Sequence, residues 1–310
     1  LQEVPAVITP TVSLTKDFLT KENLLGEMAS QSDERTFDTY LYLISEYSGN
    51  PEAKVTVNYD KLAVSLGINQ MSKEDYRRQI NKVLDKLKEK YQLIDFISPG
   101  RNQDAEIILK DPSNPKKLYS VPESNFFQIP TTFWKYHWNR TLLLPAKVMY
   151  LINLFYTSNA SPSWYMSRDT ISERHHISKS FISDGTRELN RQNIIDIKYG
   201  DLESQNYSDR DANTYTPKPL YNPEDLKKDL DKLITKYGKD KLDRAIQVAT
   251  IVFEENNLKT IQTLIQLEDQ YGQAIVQQAA KQIGEKNPDN PKRSAGYLIN
   301  TIRNMVKHAQ

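Results

Sequence analysis

Residues 54–98 read KVTVNYDKLAVSLGINQMSKEDYRRQINKVLDKLKEKYQLIDFIS. Their punctuation decides the fold. The alternation over residues 54–59 predicts a short strand. Residues 60–66 predict a short helix that Gly67 ends, because glycine takes the left-handed conformation of a helix C-terminus without steric penalty. Ser72 with Asp75 three residues on is a capping signal. It opens a helix from Lys73 to Tyr91, with Tyr76, Ile80, Val83, Leu84 and Leu87 on one stripe. Then "LIDFIS", a turn of Pro99, Gly100, Arg101, Asn102 and Gln103, and "AEIIL" predict a hairpin. Upstream, residues 36–47 place Phe37, Tyr40, Leu41, Ile44 and Tyr47 at helical spacing, before a Gly49-Asn50-Pro51 break. Residues 1–30, with Pro5 and Pro10, read as an extended lead-in.

Helix, strand, helix, turn, helix, hairpin is the order of a winged helix-turn-helix. The same order recurs downstream. Residues 142–158 (LLLPAKVMYLINLFYTS) predict a strongly apolar helix, and Trp164-Tyr165-Met166 a strand. Ser167 caps a short helix, Arg168–His175; Ile177-Ser178 is the turn; and Lys179–Arg191 is the second helix, with Phe181, Ile182 and Leu189 inward. "NIIDIKY", a polar loop over 200–211 and a return strand over 213–220 complete the second hairpin. The aromatic-rich residues 126–138 are expected to link the two copies.

After Pro217, Pro219 and Pro223 the periodicity is helical nearly to the end. Here Leu230, Leu233, Tyr237 and Gly238 return as Leu264, Leu267, Tyr271 and Gly272 at a 34-residue offset. Each copy reads as helix, Tyr-Gly break, helix. Two copies make a compact helical domain rather than a solenoid. A loop with Pro288 and Pro291 leads to a closing helix, residues 294–306. The expected fold is mainly α with small β-hairpins: two winged helix-turn-helix domains followed by an all-helical C-terminal domain. The expected boundaries are 1–32 for the lead-in, 33–120 and 121–222 for the winged helices, and 223–310 for the helical domain.

Composition narrows the function. The 310 residues carry 41 Lys+Arg against 40 Asp+Glu, so any nucleic-acid contact must come from local patches. The absence of cysteine excludes disulfides, thiol catalysis and Cys-ligated zinc. The ten glycines form no phosphate loop. Of four histidines, the adjacent His175 and His176 would point roughly 100° apart on a helix, which suits helix-end polarity better than a shared metal ion. No catalytic residue, metal or cofactor is expected. No apolar run approaches the roughly 18 residues of a membrane span, and the first residues lack a basic leader. The expected setting is cytoplasmic, with no membrane partner.

A helix-turn-helix lays its second helix in the major groove, where outward residues reach base edges and phosphates. In the first copy these are Lys73, Arg77 and Arg78, with Gln79 and Asn81 as base readers. Lys82, Lys86, Lys88 and Lys90 lie farther along, toward phosphates. Residues 72–101 hold eight Lys/Arg against five acids. In the second copy the candidates are Ser178, Lys179, Ser180, Ser183, Thr186, Arg187, Asn190 and Arg191. Arg101 and Asn102, and Asn206 and Arg210, are the wing candidates. Residues 281–310 add six Lys/Arg against two acids, with Lys292 and Arg293 in the loop.

The tandem arrangement resembles the initiator proteins of plasmid and phage replication. The tail is similar to the helical domain of DnaD-type primosomal proteins, in which a Gly precedes an I-x-x-A helix and a loop leads to a Y-[IL]-x-x-[IL]-x-N helix. Tyr271, Gly272, Ile275, Ala279, Tyr297, Leu298, Ile302 and Asn304 stand at those positions, while Met305 occupies a place where the family carries Trp. The resemblance implies a homo-oligomeric, non-enzymatic initiator that binds double-stranded DNA at origin repeats and recruits a helicase or helicase loader. Two competing expectations share the winged helices. One is a sequence-specific transcription regulator whose helical domain dimerises or senses a ligand, and the other is an adaptor that does not bind DNA.

Overall fold

A computed structural model describes residues 10–21, 24–96, 103–157, 161–200 and 212–309. The described residues are mainly helical, with three small antiparallel sheets. They divide into two compact units, residues 1–156 with 168–182, and residues 157–167 with 183–310. Residues 33–120 and the following aromatic segment thus share one unit, and the second strand–helix–hairpin copy is divided between the two.

The first unit begins with β1 (Thr11–Thr15), α1 (Asp17–Thr20) and α2 (Leu25–Ser30). Over residues 11–21 and 24–30 the expected extended lead-in is therefore replaced by folded structure. The cause is apolar: Leu14, Phe18, Leu19, Leu25 and Met28 are all buried, and the Phe18 ring stacks 4.8 Å from that of Tyr40. Next come α3 (Glu34–Glu46), β2 (Lys54–Val57), α4 (Tyr59–Ser65) and α5 (Lys73–Asp85). Gly67 follows α4 with φ +69°, as its capping role requires.

The helix predicted to reach Tyr91 continues beyond α5 as one wider π turn, Lys86–Lys90. The added residue keeps Leu87 buried and brings Lys86, Lys90 and Tyr91 together on the buried Asp33 at the start of α3. Burial alone would raise the Asp33 carboxyl. The hydrogen bonds from Lys86 and Tyr91, with the charges of Lys86 and Lys90, hold it below its ordinary value.

The sheet that follows is β2 beside β4 (Ala105–Asp111) beside β3 (Ile94–Phe96), with a further strand, β5 (Asn114–Leu118), on β4. The aromatic segment contributes β6 (Phe126–Pro130), α6 (Thr132–Lys135) and α7 (Trp138–Thr141), so it is more than a linker. β6 pairs antiparallel with β1, from Thr11 opposite Pro130 to Thr15 opposite Phe126. Then come α8 (Leu144–Tyr156), α9 (Arg168–His175) and the first residues, through Ile182, of α10 (Lys179–Arg191).

In the second unit β7 (Trp164–Tyr165), β9 (Thr214–Pro217) and β8 (Ile195–Lys198) form a sheet in the order β7-β9-β8. Five helices follow: α11 (Pro223–Tyr237), α12 (Lys239–Ile251), α13 (Leu258–Tyr271), α14 (Gln273–Gly284) and α15 (Ala295–Ala309). Their core joins Leu233, Leu242, Ala245, Leu264, Leu267, Val276, Ala279, Leu298 and Ile302. The sequence repeat is a structural repeat. Gly238 and Gly272 have φ +84° and +88° with ψ 150° and 151°, and each donates its N–H to the carbonyl four residues back. That backbone region is essentially reserved for glycine. A Cβ at Gly272 would meet nothing within 4 Å. Gly272→Ala is therefore expected to cost about 1–3 kcal/mol from backbone strain alone. Urea unfolding should show a lowered midpoint with an unchanged slope, and an unchanged midpoint would refute the strain.

Candidate nucleic-acid interface

The first candidate surface is the outer side of α5. Ser72 Oγ accepts the Asp75 N–H at 3.2 Å and caps the helix. Tyr76, Ile80, Val83 and Leu84 face the core. The Tyr76 hydroxyl donates to Asp60 at 2.5 Å, tying α5 to α4. This hydrogen bond, followed by the charges of Lys73 and Arg77, holds the Asp60 carboxyl below its ordinary range against a smaller effect of burial.

The candidate residues on α5 fall into two groups. Arg77 is structural: it donates to the Gln103 carbonyl at 2.9 Å, and its guanidinium carbon lies 4.5 Å from the Tyr59 ring centre. Asn81 accepts the Tyr59 hydroxyl at 2.5 Å, and Gln79 accepts from Arg35 at 3.2 Å. Lys73, Arg78 and Lys82 are exposed. Lys73 lies 3.5 Å from Asp60, and Arg78 pairs with Asp75 one turn back at 2.7 Å. The Lys82 ammonium makes no ion pair among the described residues. Lys86 and Lys90, read from sequence as phosphate contacts, are instead turned to Asp33, and Lys88 lies 3.7 Å from Glu89.

α10 is capped by Ser178, whose Oγ accepts the Phe181 N–H at 3.2 Å and lies 3.1 Å from Ser180 Oγ. Lys179 pairs with Asp169 at 2.9 Å yet remains half exposed, and Ser180 is exposed. Ser183, Thr186 and Asn190 are half-buried. Arg187 is half-buried and Arg191 is exposed, but both are already ion-paired. Arg187 bonds Asp184 at 3.2 Å and Asp289 at 3.0 Å, with its guanidinium carbon 5.6 Å from the Phe253 ring centre. Arg191 bonds Glu255 at 2.6 Å.

In the tail, Arg293 donates to the carbonyls of Ile251 at 2.7 Å and Lys286 at 2.8 Å, over the other contact to Phe253 at 5.0 Å. It is a structural residue, whereas Lys292 is exposed. Arg101, Asn102, Asn206 and Arg210 lie outside the described residues. His175 is fully buried. Its Nδ1 lies 2.8 Å from the Leu19 carbonyl and its Nε2 3.0 Å from the Tyr156 hydroxyl, so both ring nitrogens have partners. Among the described residues no group of three or more His, Asp or Glu side chains is placed to hold a metal ion.

Two candidates were missed from sequence. Lys116 and Lys117 are exposed on β5, the strand added beyond the predicted hairpin. Their only local signal was proline followed by lysines, a pattern typical of edge strands. The acidic partners Glu255 and Asp289, far from α10 in sequence, gave no local signal at all. The chain matches no protein-family model and no curated protein. Among the described residues no helix is long and apolar enough to cross a membrane.

Proposed function

We propose that the protein is a non-enzymatic replication initiator that binds double-stranded DNA at origin repeats through winged helix-turn-helix elements and recruits a helicase or helicase loader through its helical tail. The observation that carries the reading is the repeated element order. α3-β2-α4-α5-β3-β4 and α8-β7-α9-α10-β8-β9 are each followed by further chain, the second by the Tyr-Gly helical repeat. In each copy a capped second helix follows a turn, residues 66–72 in the first and 176–178 in the second, the order in which such a helix enters a major groove. Between the copies, α5 is favoured as the reader. Its exposed Lys73, Arg78 and Lys82, with Lys116 and Lys117 on the β5 edge, leave cationic groups for phosphates. Arg77 and Asn81, being tied to Tyr59, would position that helix rather than read bases.

Footprinting of the full chain on its own replicon tests this. Arg78→Ala with Lys82→Ala should weaken binding and lower the slope of log affinity against log salt by about two, one unit for each phosphate contact. Circular dichroism controls the fold. Unchanged affinity and slope would remove α5 from the interface. Protection of a promoter alone, with replication intact in a null strain, would make the chain a transcription regulator.

A further inference from the structure

On α10 the positions 180, 183, 187 and 191 succeed one another at three- and four-residue steps, so they form one stripe of the helix. Its N-terminal end, Lys179 and Ser180, is exposed. At its C-terminal end the two guanidiniums are held by carboxylates from distant parts of the same compact unit. Asp289 comes from the α14–α15 loop and Glu255 from the α12–α13 loop. Phe253, in the same loop as Glu255, has its ring centre 5.6 Å from the Arg187 guanidinium carbon and 5.0 Å from that of Arg293, at a left-handed φ of +60°. An aromatic residue seldom takes that conformation.

The contact is also incomplete. Arg187 Nε, Glu255 Oε2 and Thr186 Oγ1 are buried with no hydrogen-bond partner. An ion-pair interface kept only for stability is expected to satisfy such atoms. Here a donor and an acceptor of opposite charge are each left partly unsatisfied. A phosphate diester offers a guanidinium the same kind of oxygens as a carboxylate, and arginine binds either in a bidentate fashion.

We infer that the carboxylates of Glu255 and Asp289 act as internal phosphate mimics that pair with, and so electrostatically mask, the Arg187–Arg191 end of α10, so that the helical tail and duplex DNA compete for one arginine face. This rests on the reading of the chain as a DNA-binding protein, and it adds a second DNA-contacting surface that opens only when the tail loops release it. Recruitment of a partner by the tail and engagement of DNA by α10 would then be linked, since whatever draws the loops away frees the arginines from their carboxylates.

The test uses the full chain and a short duplex of random sequence, titrated by fluorescence anisotropy at several salt concentrations. Glu255→Gln with Asp289→Asn should tighten binding about tenfold and steepen the salt slope by about two, as two further phosphates are engaged. Adding Arg187→Ala and Arg191→Ala to that variant should abolish the gain. Equal affinity and slope for wild type and the Gln/Asn variant, with DNA bound by both, would overturn the masking and leave the DNA-binding reading standing. No duplex binding by either would overturn both. A measurement on the unaltered protein guards against misfolding of the variant. On addition of duplex, amide hydrogen exchange at Phe253, Glu254 and Asn257 should accelerate. Binding without any such change would refute the competition.

Discussion

Replacing Lys147 with methionine should lower the unfolding free energy by about 3–5 kcal/mol at pH 8, the usual cost of removing one partner from a buried ion pair. Lys147 is the one cation in the apolar helix α8, and it is 1 % exposed. Its ammonium lies 2.6 Å from Asp38 and 2.8 Å from Glu34, both on α3. Methionine fills much of the same volume, so the loss isolates charge from packing. Desolvation, aided by the charge of Glu34, outweighs the pull of Lys147 and raises the Asp38 carboxyl to about 7. Asp38 Oδ1 has no hydrogen-bond partner.

The sign of the pH effect follows. Between the ordinary carboxylate value and about 7 the folded state holds a proton that the unfolded chain has released, so this group's contribution declines as pH rises through that window. Without Lys147 the carboxyl would rise further, and protonation would relieve more of the damage. The difference between wild type and Lys147→Met should therefore be smaller at pH 5.5 than at pH 8. His175, which burial makes harder to protonate, contributes to both proteins alike and cancels in that difference. Adding Asp38→Leu should restore most of the loss, because the uncompensated charge goes with it. Urea unfolding at both pH values decides the matter. A loss below 1 kcal/mol, or one that grows in acid, would mean that the triad is not the buried charge cluster described.

Gly26→Ala is expected to be nearly as damaging. A Cβ at Gly26 would lie 2.2 Å from the His176 carbonyl oxygen and 3.0 Å from its Cβ. His176 holds a left-handed φ of +54° in the tight turn between α9 and α10. Backbone in a short turn cannot yield as a flexible side chain does, so the cost should reach the upper part of the overpacking range, about 3 kcal/mol. Gly296→Ala in α15 is the control. Its Cβ would meet nothing within 4 Å, and its effect should stay within about 0.5 kcal/mol. Thermal unfolding of the two variants side by side would settle it, since equal midpoints would deny the close approach. The contact also ties α2 to the α9–α10 turn.

Local order was largely legible in the sequence. α9 and α10 run from Arg168 to His175 and from Lys179 to Arg191, the expected ends, because caps and apolar spacing act over a few residues. The Tyr-Gly repeat was equally plain, since a glycine-only backbone leaves glycine in the text. Partner choice was not legible. Nothing local to Arg187 names Asp289, and nothing local to Lys86 and Lys90 names Asp33. A basic residue on a helix reads alike whether it meets phosphate or a carboxylate from a hundred residues away. The lead-in was misjudged for a related reason. Leu14, Phe18 and Leu19 are too few and too closely spaced to show a period, and they are ordered by what they pack against rather than by their own pattern.

The pairing of β1 with β6 has a consequence for how the chain is made. On a ribosome, Thr11–Thr15 emerge more than a hundred residues before Phe126–Pro130 exist to receive them. At roughly 5–20 residues per second, the first strand waits on the order of ten seconds with the edge that β6 will pair left open. During that interval the nascent chain offers an unpaired strand beside an apolar cluster, a natural target for a holding chaperone. Swapping codons upstream of residue 130 for slow synonymous ones would lengthen that exposure without altering a single side chain.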